Sequence, residues 1–204
     1  MKNTFYTASA AALLMLSGCA QPTETEATPV VEGAWTVDPD ASSLSYVSVK
    51  SGEVAEANEF TALSGSVSAA GEAEIVIDLA SVSTGVDIRD ERMRDIFFNV
   101  ADNPTASVTA QLDPAAFEAL GLGESLTQTL DATLNVKGVE APIQTQVAVT
   151  RVADDRVLAV SSDPVIVYAD ALELSEGLAT LQELAGLDAI TPAVPVTFSI
   201  MFER

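Results

Sequence analysis

After Trp35, apolar and polar residues alternate with a period of two through most of the chain. Such alternation is typical of β-strands that have one buried face. The clearest apolar positions are Leu44 and Tyr46; Ile75, Ile77 and Leu79; Val108, Ala110 and Leu112; Leu130, Ala132, Leu134 and Val136; Ile143, Val147 and Val149; and Val196, Phe198, Ile200 and Phe202. The phase slips by one residue between Phe60 and Leu63, which predicts a bulge or bend there. The pattern as a whole predicts about eight strands.

Three segments depart from this period. Residues 87–98 and 170–187 carry apolar side chains three or four positions apart, which predicts amphipathic helices. Residues 114–120 predict a short helical turn. Antiparallel strands with few and short helical inserts predict an all-β fold, an eight-stranded antiparallel barrel, because closure leaves no exposed sheet edge. A two-sheet sandwich is the alternative, since periodicity does not report closure.

The interior of such a barrel is either packed with side chains or holds one small elongated ligand. The predicted inward set contains large residues such as Phe198 and Phe202, which favour packing. It also contains small residues, which favour a cavity: Ala62, Gly65, Ala110 and Ala132. The sequence leaves a filled and a hollow barrel open.

The first 18 residues have the features of a secretory signal: an early Lys2 and an apolar run from Ala10 to Leu16, too short to span a membrane. The run ends in Leu16-Ser17-Gly18-Cys19, which resembles the lipobox of bacterial lipoproteins. We therefore expect Cys19 to be lipidated and to become the first mature residue. An ordinary signal peptide followed by a chance Cys is the alternative.

Residues 19–33 are rich in Thr, Glu and Pro without apolar periodicity, and predict a flexible tether. Residues 34–204 form the predicted barrel domain. A lipid anchor at Cys19 implies the periplasmic side of a cell envelope. Ala20 takes the place of the Asp that is associated with inner-membrane retention, which favours the outer membrane.

Charge and composition exclude several classes of function. With 30 acidic and 9 basic residues the net charge is −21, so the chain repels nucleic acid and anionic lipid head groups. The sequence has no His and a single Cys, which excludes a Ser-His-Asp or Cys-His arrangement, a CxxC site and an intramolecular disulfide. We expect no enzyme activity, no cofactor and no metal site.

The stretch SVSTGVDIRDERMRDIFFN, residues 81–99, gathers three of the nine basic residues beside Phe97 and Phe98. One interpretation places Arg89 and Asp90 at the mouth of the barrel, where an arginine receives a polar head group. The other is a short amphipathic helix that closes the barrel, with Arg89 and Asp90 in a structural ion pair. We favour the structural interpretation.

The same stretch carries a resemblance to a known family. Ser81-Val82-Ser83-Thr84, then Arg89-Asp90, Phe97-Phe98 and Asn103-Pro104, and later LNVKGV with Pro142 three residues on, resemble the YceI-like family in order and spacing. The resemblance spans Trp35 to Phe202. It implies an extended lipocalin-like barrel, secreted or periplasmic, that binds long isoprenoid chains of the quinone type in an apolar tunnel.

Two departures from the family pattern have consequences. Asp40-Ala41-Ser42 stands where the family often has His-Ser, so a role of that His at a mouth does not carry over. Residues 165–195 match only loosely, and we expect them to reshape one end of the barrel.

The resemblance and the barrel pattern lead to one main expectation: a lipid-anchored envelope protein that carries or sequesters an isoprenoid or quinone-like lipid. Its partners would be that lipid and the membrane that holds its anchor; a homodimer is left open. The residues expected to line the tunnel are Tyr46, Phe60, Ile75, Ile77, Phe97, Phe98, Leu134, Val147 and Phe198. The alternative is a structural or interaction protein of the envelope with a filled barrel.

Overall fold

Eleven β-strands form the fold of residues 33–204, the part of the chain that the computed structural model describes. In chain order they are β1 (Trp35–Lys50), β2 (Val54–Phe60), β3 (Leu63–Val67), β4 (Glu72–Asp78), β5 (Val82–Ser83), β6 (Thr105–Gln111), β7 (Ser125–Val136), β8 (Val139–Ala153), β9 (Arg156–Ser161), β10 (Val165–Tyr168) and β11 (Ala193–Glu203). The predicted signal peptide, Cys19 and the tether up to residue 32 lie outside the described residues.

Eight of these strands close into a barrel. They follow one another as β1, β3, β4, β6, β7, β8, β9 and β11, and β11 pairs back to β1. All the pairs are antiparallel. The predicted eight-stranded antiparallel barrel is confirmed, and the sandwich alternative is wrong because the pairing of β1 with β11 closes the sheet.

The barrel has two ends that differ in structure. At the Trp35 end, β1 begins and β11 finishes, with Thr36 opposite Glu203. At the Lys50 end, β1 continues past the barrel and pairs with β2, while β10 pairs with the start of β11. The three strands outside the closed ring, β2, β5 and β10, therefore extend the wall at the Lys50 end.

The predicted phase slip after Phe60 is a break between two strands. Phe60 ends β2 opposite Leu44 of β1, and Leu63 begins β3 opposite Ile77 of β4. A second irregularity lies in β1 itself, between Asp38 and Ser43. This bulge includes the Asp40-Ala41-Ser42 segment that departs from the family pattern.

Two helical segments cover the Lys50 end. The predicted helix over 87–98 is α1 (Asp87–Arg92), continued by one π-helical turn (Met93–Phe98) that stops at Asn99 in the left-handed conformation, φ 50°. The second helix, α2 (Ser175–Ala185), begins five residues later than the sequence predicted. Among the described residues, no helix is long and apolar enough to cross a bilayer.

The late start of α2 has a local cause. Asp170 accepts a hydrogen bond from the backbone of Ala171, and Leu174 N donates to Ala169 O. Leu172 and Leu174 in this turn are buried and line the cavity, so they pack inward without being helical. The predicted turn after residue 113 is a 3-10 segment, Pro114–Phe117, capped by the Asp113 carboxylate.

Candidate binding cavity

A cavity of about 760 Å³ runs through the barrel. Its wall reaches from Trp35 at one end to Lys50 at the other, and each of the eight barrel strands contributes to it. The volume lies within the range of about 300–1,000 Å³ that is typical of small-molecule sites. The barrel is hollow, which contradicts the filled-barrel alternative.

Period-two alternation produces the wall. On β7 the inward side chains are Gln128, Leu130, Ala132, Leu134 and Val136, and every second residue points away from the cavity. On other strands, some residues of the cavity wall are only half-buried although they point into the barrel. The accessible part of their surface faces the cavity. The apolar face predicted from the sequence is thus the surface that a ligand would touch.

All nine residues predicted to contact a ligand lie in this wall. Five of them are buried, namely Ile77, Phe97, Phe98, Leu134 and Val147, and four are half-buried, namely Tyr46, Phe60, Ile75 and Phe198. The small residues divide: Ala110 and Ala132 line the cavity, whereas Ala62 and Gly65 do not. Gly65 instead permits a close backbone approach of β4, because a Cβ there would lie 2.2 Å from Glu74 O.

The charged residues of the wall all lie at the Lys50 end. They are Lys50, Glu56, Arg89 and Arg92, supplied by β1, β2 and α1. Along β1 the inward positions change from apolar Leu44 through Tyr46 and Ser48 to Lys50. The cavity is therefore apolar along most of its length and polar at one end, which suits an amphipathic ligand with a long tail.

Glu56 is the centre of the polar end. Its carboxylate accepts from Lys50 Nζ at 2.7 Å and from Arg89 Nη1 at 2.5 Å. These contacts, with the Lys50 hydrogen bond the largest, lower the pKa of Glu56 below its ordinary value. Glu56 is thus held as an anion between two cations.

Arg89 and Asp90 have different partners. Arg89 Nη2 donates to Thr84 O at 2.7 Å, in addition to its ion pair with Glu56. Asp90 accepts from the backbone N of Thr84 at 2.9 Å and from the Thr84 hydroxyl. Arg89 lies in the cavity wall and Asp90 does not. Together they fasten α1 to β2 and to the segment after β5.

Asn58 is buried beside this network, with 5% of its surface exposed. Its Nδ2 donates to Ser48 Oγ at 3.0 Å and to Glu56 O at 3.1 Å, while its Oδ1 is buried with no partner in the described chain. Tyr46 lies directly opposite Asn58 in the sheet. Burial raises the pKa of Tyr46, so its hydroxyl stays protonated at neutral pH.

A row of aromatic rings leads inward from this polar end. The ring centroids of Tyr46 and Phe60 are 5.5 Å apart, those of Phe60 and Phe98 5.9 Å, and those of Phe98 and Phe97 4.9 Å. These separations are typical of favourable aromatic pairs. The π-helical turn thus places the rings of Phe97 and Phe98 inside the cavity, at the inner end of this row.

The mouth of the cavity is at the Lys50 end, and its rim includes exposed apolar side chains. Val86, Ile88 and Leu184 belong to the cavity wall, yet 43%, 52% and 45% of their surfaces are exposed. Arg92 Nη1 donates to Leu184 O at 3.2 Å and so ties α1 to α2. Gly177 of α2 lies against the Phe97 ring, where an added Cβ would come within 3.1 Å.

Sequence reasoning missed the polar members of the wall on β2. Glu56 and Asn58 occupy inward positions of VAEANEF, in phase with Phe60. If every polar residue of a strand is assigned to the outer face, Glu56 and Asn58 are predicted to point away from the cavity. The signal that could have found them was Phe60: it points inward, and Glu56 and Asn58 lie four and two positions before it on the same strand, so they point to the same side.

In residues 33–204, no three acidic or thiol side chains are placed to hold a metal ion.

Comparisons with known proteins give a consistent result. A family model described as a YceI-like domain matches residues 35–202. A polyisoprenoid binding domain from Saccharophagus degradans, implicated in plant cell wall breakdown, is 40% identical with a TM-score of 0.81; the match covers 83% of this chain and 98% of that one. BcnA of Burkholderia cenocepacia shares the fold, with 15% identity, a TM-score of 0.59 and coverage of 81% and 98%. No curated protein sequence matches the chain.

Proposed function

We propose that this chain, which belongs to the YceI-like domain family, binds a polyisoprenoid lipid in its barrel and holds that lipid away from water. The observation that carries the proposal is the cavity of about 760 Å³, apolar along most of its wall and polar at one mouth. A relative with 40% identity is a polyisoprenoid binding domain, which supports the same ligand class for this chain.

The proposed mechanism is binding without a chemical step. Each Å² of apolar tail that leaves water for the wall contributes about 25 cal/mol, so a long tail is retained strongly against release into water. Transfer from a bilayer is nearly balanced, because lipid tails are as apolar as the leucine and valine side chains of the wall. A tail can therefore exchange with a membrane while escape into water stays rare.

This energy balance suits a carrier or sequestering protein. The exposed side chains of Val86, Ile88 and Leu184 offer an entering tail an apolar surface at the mouth. Lipidation at Cys19 would keep the barrel near a membrane on the periplasmic side, and Ala20 favours the outer membrane. A quinone-like lipid is the proposed cargo, because the polar end can receive a small head while the tail fills the apolar interior.

Organic extraction of the purified protein, followed by mass spectrometry, tests the ligand. We expect a polyisoprenoid that co-purifies in an amount comparable to the protein. Titration of the delipidated protein should then show saturable binding, measured by the fluorescence of Trp35, the single Trp of the chain, which lies in the cavity wall. An extract without isoprenoid, together with no saturable binding, would disprove the proposal.

A separate experiment tests the anchor. The Cys19→Ser variant should leave the membrane fraction and lose incorporation of labelled fatty acid, while the wild type keeps both. Ser17→Ala leaves Cys19 in place and is the matched control. Equal membrane association of wild type and Cys19→Ser would disprove anchoring at Cys19 without affecting the proposed ligand.

A further inference from the structure

The outer face of the wall has an unusual composition near the mouth. Outward side chains of an antiparallel sheet that faces water are normally polar. On β1, β2, β10 and β11, the outward positions nearest the Lys50 end are instead apolar or aromatic, and none of them is buried. Their neighbours along each strand line the cavity, whereas they do not. We call these residues the outer apolar patch: Val47, Val49, Ala55, Ala57, Ile166, Tyr168, Ala193 and Pro195.

Strand pairing joins these residues into one surface. Two pairs face each other across β10 and β11, Ile166 with Pro195 and Tyr168 with Ala193. The corresponding residues of β1 and β2 also face each other, and β1 pairs with β11. One row further from the mouth the outward residues are polar, with Ser45 opposite Glu59. The patch is therefore confined to this end of the barrel.

Large exposed apolar side chains are concentrated at the same end. Nine are present in residues 33–204, and seven of them lie at the Lys50 end: Val54, Val86, Ile88, Ile96, Ile166, Tyr168 and Leu184. Three of the seven also belong to the cavity wall, so the apolar lining of the cavity continues onto the outside at the mouth. Exposed apolar surface that is gathered in one place indicates a partner.

The outer apolar patch is too small to hold two copies of the chain together by itself. Four strands about 4.8 Å apart, each with two outward residues about 7 Å apart, cover roughly 260 Å². A stable protein–protein interface buries about 800 Å² on each partner. A lipid surface needs less, because an apolar face has to enter the head-group boundary to a depth of only about 5–10 Å. The ring of Tyr168, with its polar hydroxyl, is typical of that boundary.

The charges around the mouth restrict the kind of lipid surface. Eleven acidic and four basic residues lie in the segments that surround it, 50–56, 86–98 and 170–190. Two of the four cations, Lys50 and Arg89, are paired with Glu56. The other two, Arg92 and Arg94, are half-buried in a helical segment that also carries four acidic residues. This excess of negative charge repels anionic lipid and leaves head groups without net charge as the favoured surface.

We propose that the Lys50 end docks on a lipid surface of zwitterionic head groups through the outer apolar patch, so that the mouth meets the bilayer. The choice of a lipid surface rests in part on the isoprenoid binding proposed above, because a tail can then pass between membrane and cavity without crossing water. The described domain starts at the opposite end of the barrel, with Trp35, so this contact is separate from an anchor at Cys19.

Vesicle flotation tests the docking. The protein is the mature chain from residue 19 with Cys19→Ser, and the vesicles are phosphatidylcholine without isoprenoid. Ile166→Thr/Tyr168→Thr keeps good strand formers on β10 and should bind about tenfold more weakly. Leu122→Thr/Val152→Thr is the matched control at the Trp35 end, where these side chains are 63% and 41% exposed against 42% and 53% for the test pair. None of the four lines the cavity, so isoprenoid affinity in water should stay unchanged in both variants.

Fluorescent labels test the orientation on the vesicle. Ala55→Cys and Leu122→Cys each place a single thiol on the Cys19→Ser chain, which has no other. An environment-sensitive label at Ala55, in the patch, should shift to the blue on phosphatidylcholine vesicles, and a label at Leu122 should not. Trp35 at the far end should not be quenched by brominated lipids.

Four outcomes would overturn the inference. They are no binding to phosphatidylcholine, equal binding of the two double variants, binding that increases when phosphatidylglycerol is added, and a vesicle-free dimer that Ile166→Thr/Tyr168→Thr dissociates. The last outcome would assign the patch to a second copy of the chain. Failure to dock with saturable isoprenoid binding retained leaves the proposed function intact, whereas docking without isoprenoid binding contradicts the proposed function alone.

Discussion

Arg89 and Arg151 lie at opposite ends of the barrel, and each has a buried Nε without a partner in the described chain. Arg89 lines the cavity at the Lys50 end and pairs with a half-buried Glu56. Arg151, at the Trp35 end, is 1% exposed, does not line the cavity and pairs with Asp154, whose side chain is 88% exposed. An arginine therefore lines the cavity at one end, whereas the other arginine is packed outside it.

The surroundings of the two arginines explain this difference. Near the Trp35 end the wall residues Trp35 and Phe117 are buried, and Leu120 O accepts from Arg151 Nη1. Near the Lys50 end the wall includes the exposed Val86 and Ile88. Arg151 is the more deeply buried of the two arginines, yet the exposed apolar side chains of the cavity wall lie near Arg89.

Ala132→Phe breaks the connection between the two ends and has the largest expected effect. Ala132 faces the cavity on β7 between Ala110 and Ile143, so a phenyl ring there fills the middle of the tunnel. If about four methylene-sized groups of the tail lose their place at about 0.8 kcal/mol each, affinity for a long isoprenoid falls about 200-fold. Thr133→Phe, one residue along on the outer face, should bind as the wild type does. The measurement is the titration of Trp35 fluorescence; unchanged affinity in Ala132→Phe would mean that the tail takes another path.

Arg151→Ala tests the packing role at the Trp35 end. We expect a loss of about 2–3 kcal/mol of unfolding free energy, because the buried aliphatic stem leaves a cavity. Arg151→Met keeps the stem and should cost less than about 1.5 kcal/mol, since the exposed Asp154 needs no buried partner. Denaturant titration measures both, and isoprenoid affinity should stay unchanged. Equal losses in the two variants would show that the charge matters more than the stem.

The two ends also differ in how far the sequence predicts them. The period-two pattern was sufficient to place the seven wall residues that lie on strands, because alternation reports the buried face directly. It did not determine closure of the barrel, and Phe97 and Phe98 lie in a helical segment that departs from this period. The polar end was not predictable in that way. Asn58 and Glu56 point inward against their polarity, and Arg89 pairs with Glu56, 33 positions earlier, through a contact that only the fold creates. The sequence likewise gave no sign that Arg151 is buried, because the strand pattern of β8 continues without interruption around it.

Glu56→Gln sharpens the comparison with the smallest expected effect, below about 1 kcal/mol, because the ion pair is partly exposed. Lys50 and Arg89 lower the pKa of Glu56 in the folded chain. A lowered pKa means that the ion pair stabilises the fold above the ordinary Glu range, about 4.3, and that this stability is lost as the pH falls through the folded pKa below it. The melting temperature of wild type should therefore exceed that of Glu56→Gln near neutral pH, and the difference should vanish in more acidic solution. Asp154→Asn at the Trp35 end is the matched control, because it also removes a carboxylate from an ion pair with an arginine, and that carboxylate is 88% exposed. A difference between wild type and Glu56→Gln that is constant with pH would mean that Glu56 acts through its hydrogen bonds rather than its charge.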